Sequence, residues 1–322
     1  MPAPNRYKAP GVTSSPLASF LVFACPKSGT TWMQRMLCAH PEVHCSESRA
    51  FGDFYNPDNP SQPHLSLQKY VSFLRWYHHG PVQSAAGEDG SAFYDMMLHE
   101  IVNTIARVTL DQAGTGKRVY GEKATPPSLA GACQSILAGW QQYNPGLCFV
   151  HLVRDPRDVA VSGLIQQYRD RGKQAAQDGN PDQAQRLLQV IEQQTMPQDE
   201  LERWTALWQE SVAEGLHACE ALFPDHSLTL RYEDLLDKPG EGLAHILKLI
   251  GVSTDAATVT SCVEAASFEA LSGGRARGCE DRGSFYRMGV AGDWQNWLTP
   301  EQTQWCAEVA GEVMQQFGYA LS

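Results

Sequence analysis

FLVFACPKSGTTWMQRML, residues 20–37, is the stretch on which the fold turns. An apolar run halts at Pro26, a Lys-Ser-Gly-Thr-Thr cluster follows, and an apolar spacing suited to a helix resumes. The pattern predicts a buried strand over 18–24, a turn, and a helix over 30–39. A turn feeding a helix N-terminus presents unpaired backbone N–H groups and the positive end of the helix dipole. Gly29 lets backbone come close to a ligand, Thr30 and Thr31 add hydroxyls, and Lys27 adds a positive charge. The stretch reads as an anion cradle, but not as the GxxxxGK[ST] loop of ATPases. Its lysine precedes the glycine, and no obvious aspartate follows on a second strand to hold magnesium.

Outward from this cradle, the periodicity predicts helices over 67–77, 93–108 and 128–142, with a Gly/Ser-rich loop over 80–92. A short strand is expected over 118–121, and a clearly buried one over 147–153, LCFVHLV, running directly into a helix from Pro156. Another strand is expected over 227–230, before RYEDLL, and a Gly- and Arg-rich loop over 271–292. Strands alternating with helices imply a mostly parallel α/β sheet flanked by helices, with ligands at the carboxyl ends of the strands. Residues 164–202 turn polar and Gln-rich. They read as a solvated helical insertion, with a mobile lid as the sharper alternative.

The chain has 322 residues, 43% hydrophobic and 19% charged, enough for a sizeable core. No repeat or interdomain linker interrupts it, so residues 1–17 are expected to be a Pro-rich tail and 18–322 one domain. The apolar runs are too short to span a membrane. Nine cysteines occur without a CxxC pair or zinc-like spacing. Together with the absence of an apolar export signal, this favours reduced thiols and a cytoplasmic setting. Cys25, before a proline at a buried strand end, is expected to be a small core residue rather than a nucleophile. A net charge of −11 argues against nucleic acid or an acidic membrane as partner.

CPKSGTTW resembles the 5′-phosphosulfate loop of sulfotransferases that use 3′-phosphoadenosine-5′-phosphosulfate (PAPS), whose fold is P-loop NTPase-like. Three further segments resemble the same family in the same order: LVRDPRDVAVSG (152–163), RYEDLL (231–236) and FYRMGVAGDWQNWLTPEQ (285–302). The resemblance implies that Lys27, Ser28, Gly29, Thr30 and Thr31 hold the phosphosulfate and that Trp32 stacks on adenine. It places Tyr232, Ser267 and Phe268 beside the base. It puts the 3′-phosphate on Arg154, Ser162, Arg287, Met288 and Gly289, with Met288 standing where the family carries a lysine. Read by itself, Arg154 suits an ion pair with Asp155 or Asp158 better than a phosphate, and only the cradle upstream reverses this; Arg157 suits a surface pair. Arg275, Arg277 and Arg282 read individually as solvated loop residues, and Trp32, Tyr232 and Phe268 also suit a core.

Sulfuryl transfer to a hydroxyl needs a group to take the acceptor proton. The cytosolic branch of the family uses a histidine upstream of the 3′-phosphate segment. RVYGEKATPPSL has none there and offers Glu122 and Lys123. Other branches carry Glu-Lys at this point, which implies Glu122 as general base, with a structural pair to Lys123 or an arginine as its alternative. His44, His78, His79 and His151 are further candidates, His151 reading better as a core residue. Lys27 is expected to stabilise charge on the departing nucleotide, and no metal need be invoked. FGDFYNPDNP and FLRWYHH suggest an acceptor pocket over 46–100 and 164–200 for a small organic or carrier-bound hydroxyl; oligomeric state is unreadable. The rival readings are a P-loop kinase using ATP and magnesium, and a catalytically silent nucleotide-binding protein.

Overall fold

A computed structural model describes residues 19–47, 103–125, 141 and 146–322 of the chain. Five strands form one parallel sheet in the order β2-β3-β1-β4-β5: β1 (Ser19–Phe23), β2 (Val43–Glu47), β3 (Val119–Ala124), β4 (Cys148–Val153) and β5 (Ser227–Arg231). β1 is central because SFLVF is apolar on both faces, as a strand covered on both sides requires. Its register sets Leu21 opposite Glu122 on one side and Phe149 on the other.

Helix α1 (Thr30–Ala39) starts at the turn after β1, as expected. It ends at His40, whose extended backbone (ψ 134°) is what a residue before proline prefers. Helices α2 (Pro156–Gln177), α3 (Pro181–Glu192) and α4 (Gln198–His217) follow β4. After β5 come α5 (Tyr232–Asp237), α6 (Pro239–Leu249), α7 (Ala256–Ala265), the short α8 (Phe268–Ser272) and, last, α9 (Pro300–Gln316). α2 opens with Asp155 accepting from the Arg157 N–H, and α9 with a Thr299–Gln302 capping box.

The sheet is covered on both faces. Phe20, Val22, Met33, Met36 and Leu37 pack with Leu243, Ile246 and Leu247 under α1, α6 and α7. Val153, Leu164, Trp204, Trp208, Trp294 and Met314 pack on the other face under α2, α4 and α9. Each fully buried Leu or Met contributes about 1.5–3 kcal/mol, so both layers hold the strand ends in place.

Three expectations need amending. β2 was not predicted: in VHCSE only Val43 and Cys45 are apolar, a weak signal for a strand at the sheet edge. β3 is longer than expected, so Glu122 and Lys123 lie within the strand and face opposite sides of the sheet. The helix from Pro156 runs unbroken for 22 residues, joining the 3′-phosphate segment to the start of the polar stretch. The helices expected over 67–77 and 128–142 lie outside the described residues except for helical Gln141, as does the loop over 80–92. Of the helix expected over 93–108, residues 103–108 are described and helical, and the turns continue to 113.

Candidate active site

The turn after β1 is shaped by two left-handed residues. Gly29 has φ 94° and ψ 10° at the N-cap of α1, and Lys27 has φ 75°. A Cβ on Gly29 would lie 2.5 Å from the Tyr232 ring, so only glycine brings this turn against the aromatic wall. Ser28 is fully buried, and its hydroxyl has no partner among the described residues.

A cavity of about 400 Å³ opens above this turn. Lys27, Gly29, Thr30, Thr31 and Trp32 line it from β1 and α1, and Arg154 and Ser162 from β4 and α2. Tyr232, Ser267, Phe268, Arg287, Met288 and Gly289 complete its wall. Every nucleotide residue expected from the sequence, Ser28 apart, therefore faces one space. Leu236, Val263, Leu271, Arg277, Phe285, Tyr286 and Val290 also line it, and the sequence did not single them out as such.

Arg154 is buried; it donates to the Lys27 carbonyl at 3.0 Å and the Val290 carbonyl at 3.3 Å. Its guanidinium lies 4.5 Å from the centre of the Tyr232 ring, which meets Trp32 edge-on at 6.0 Å. Trp32 is fixed by donating to the Ala266 carbonyl at 2.9 Å. Arg154 does pair with Asp158, at 3.5 Å. That buried aspartate also accepts from the N–H groups of Gly292 and Trp294, at 2.7 and 3.1 Å. Arg157 is not a surface residue: it is buried, forks onto Asp155 at 3.0 and 2.7 Å, and lies 3.7 Å over Trp294.

The C-terminal loop is held by its own arginines. Arg275 donates to the carbonyls of Cys279 and Arg287, Arg277 to those of Gly289 and Leu236, and Arg282 to that of Ile191 in α3. These are braces rather than merely solvated charges, and Arg277 reaches the cavity wall. Arg287 pairs with Glu280 at 2.6 Å and with Asp293. Gly289, at φ 69°, lies so close to the Phe268 ring that a Cβ would come within 2.4 Å.

Cations crowd around Lys27. Burial first, then Arg154, Arg169 and Lys123, lowers the Lys27 pKa to about 8 from its usual 10.5, against a smaller opposing pull from Asp170. In a chain of net charge −11, this concentration of positive charge suits an anion. Lys27 also bonds to Gln166 of α2 and lies 5.2 Å from the Phe285 ring centre.

Glu122 does not line this cavity. It is buried in β3 and accepts the Tyr120 hydroxyl at 2.6 Å. Lys123, on the opposite face, pairs with Glu47 at 2.9 Å and donates to Thr31 Oγ1 at 2.8 Å. His151 is a core histidine, its pKa lowered to about 3 by burial, and His44 contacts Ser46 Oγ at 3.1 Å. His78 and His79 lie outside the described residues. Cys25 is buried as expected, and burial pushes its thiol up to about 12.

The model of the sulfotransferase domain family matches residues 17–318. No curated protein sequence matches the chain. Among solved structures, the sulfotransferase domain of the Synechococcus PCC 7002 olefin synthase is 17% identical, over 94% of this chain and 95% of that one, with a TM-score of 0.50. Mouse sulfotransferase SULT7A1 complexed with PAP is 16% identical, over 92% and 84%, with a TM-score of 0.49. The sulfotransferase domain from the curacin biosynthetic pathway is 15% identical, over 96% and 100%, with a TM-score of 0.48. At such identity the first of these speaks for the fold. Among the described residues, no helix is long and apolar enough to cross a membrane.

Proposed function

The chain belongs to the sulfotransferase family, and we propose that it moves a sulfuryl group from PAPS to a hydroxyl of a small organic or carrier-bound acceptor, residues 18–322 acting as one unit. The observation that carries this reading is the single cavity shared by Lys27, Arg154, Ser162 and Arg287. These residues come from three separate parts of the chain; Lys27, Arg154 and Arg287 supply charge, and Ser162 a hydroxyl, for two anionic groups, one at the α1 turn and one beneath the C-terminal loop. The aromatic wall of Trp32, Tyr232 and Phe268 suits a purine between them.

In the reaction, the acceptor oxygen attacks sulfur as the bond from sulfur to the 5′-phosphate oxygen breaks. Lys27 offsets the charge that grows on that oxygen, a gain realised mainly in the transition state. Thr30, Thr31 and the first N–H groups of α1 orient the phosphosulfate. Arg154 and Ser162 hold the 3′-phosphate, with Arg287 and Gly289 closing over it and Met288 contributing no charge. Glu122 takes the acceptor proton. Its place on β3 puts it on the strand beside β1.

The test is a calorimetric titration with 3′-phosphoadenosine 5′-phosphate (PAP) against ATP and magnesium, followed by transfer from labelled PAPS to a panel of alcohols and phenols. Preference for PAP and labelling of at least one acceptor are expected. Preference for ATP sinks the reading in favour of a kinase, and PAP binding without transfer to any acceptor sinks it in favour of a silent binder.

A further inference from the structure

Beside Glu122, adjacent strands assemble a line of polar side chains that the reaction described above does not use. In β3, Tyr120 and Glu122 share one face; in β2, His44 and Ser46 lie opposite them in register. The Tyr120 hydroxyl donates to Glu122 Oε1 at 2.6 Å. Ser46 lies diagonally across the strand pair from Tyr120 on the same face, and its Oγ lies 3.1 Å from His44 Nε2. The His44 and Tyr120 rings stack, with centres 6.4 Å apart and planes 20° from parallel. Glu122, Tyr120 and Ser46 are buried, whereas His44 is half-buried. The line thus runs from the interior toward solvent.

We propose that Tyr120, Ser46 and His44 form a proton relay that positions Glu122 and carries away the proton it takes from the acceptor. The proposal rests on Glu122 being the base. A buried base must be cleared of its proton before the next turnover, and a hydrogen-bonded chain does this without moving the carboxyl to water. The step balances. The proton on the Glu122 carboxyl passes to the Tyr120 oxygen as the Tyr120 hydroxyl passes its own to Ser46 Oγ. The Ser46 proton passes to Nε2 of neutral His44. The carboxylate is restored, and the imidazolium releases the proton to solvent. Before the transfer, the same Tyr120 hydrogen bond fixes the rotamer of the carboxylate.

Tyr120→Phe and Ser46→Ala, set beside Glu122→Gln, test the relay with labelled PAPS and the panel acceptor that the wild-type protein turns over fastest. Both relay variants are expected to lose at least roughly tenfold in kcat, with the PAP dissociation constant and the KM for PAPS unchanged. The dependence of kcat on the deuterium fraction of the solvent is expected to be curved in the wild-type protein and linear in Ser46→Ala. Wild-type kcat in both relay variants with an inactive Glu122→Gln overturns the relay and leaves the base in place. Loss of PAP affinity in step with kcat also overturns it, since the residues are then structural. An active Glu122→Gln removes the base, and the relay with it.

Discussion

Asp158 stands 3.5 Å from the Arg154 guanidinium while its two oxygens take the N–H groups of Gly292 and Trp294. One buried carboxylate thereby fixes both the arginine at the end of β4 and the loop that faces it across the cavity.

Asp158→Ala leaves Arg154 buried without its counter-ion and frees residues 290–294 from their anchor. A loss of about 1.5–3 kcal/mol in PAP binding is expected, the usual worth of hydrogen bonds to a charged group. Titration of the variant with PAP measures it, and unchanged affinity refutes the anchoring role.

Gly29→Ala places a methyl 2.5 Å from the Tyr232 ring at a backbone φ of 94°. The left-handed conformation alone costs about 1–2 kcal/mol, and the Tyr232 ring must also shift. Thermal unfolding is expected to show the lower stability, and PAP titration a weakened site.

Lys27 has a folded pKa of about 8, below its ordinary 10.5. Its positive charge in the unliganded protein is lost as pH rises through about 8, so PAP affinity is expected to fall over that range. Lys27→Arg keeps its charge and is expected to show a flat profile between pH 7 and roughly 9.5. For folding the sign is opposite: between about 8 and 10.5 the unfolded lysine binds the extra proton, so this group favours the fold increasingly as pH climbs.

Lys27→Ala separates anchoring from chemistry. The leaving-group role predicts a far larger loss in kcat than in PAP affinity, by roughly 100-fold or more. Equal losses in single-turnover rate and in binding reduce Lys27 to an anchor.

Glu122→Gln preserves shape and the capacity to accept the Tyr120 hydroxyl, but not basicity. Turnover is expected to vanish while PAP binding stays intact, read by labelled transfer and calorimetry on the same preparation.

Much of the cradle was legible because its determinants are local. Strand β1, the turn at Lys27–Gly29 and helix α1 lie within a single short stretch, and their bounds are nearly those the periodicity predicts. Arg154 and Ser162 were legible only through the resemblance of residues 152–163 to a family segment, because by itself Arg154 suits an ion pair, and it does pair with Asp158. β2 was not legible, because an edge strand with two apolar residues barely alternates. Arg157 was misplaced because its burial comes from Trp294, far along the chain, and its charge is absorbed by Asp155.

By itself the sequence determined the parallel α/β class, the anion turn and the residues expected to grip a nucleotide. The class and the turn follow from spacing and residue type within stretches of a few turns, and the nucleotide residues from the resemblance of four separated motifs to one family. Only the tertiary structure decided that those stretches share one cavity, that Asp158 and the loop arginines brace it, and that Glu122 lies on a line leading through Tyr120 and Ser46 to His44. Such relations depend on sheet order and register, which bring residues more than 70 positions apart into hydrogen-bonding range. No local pattern in the chain encodes them.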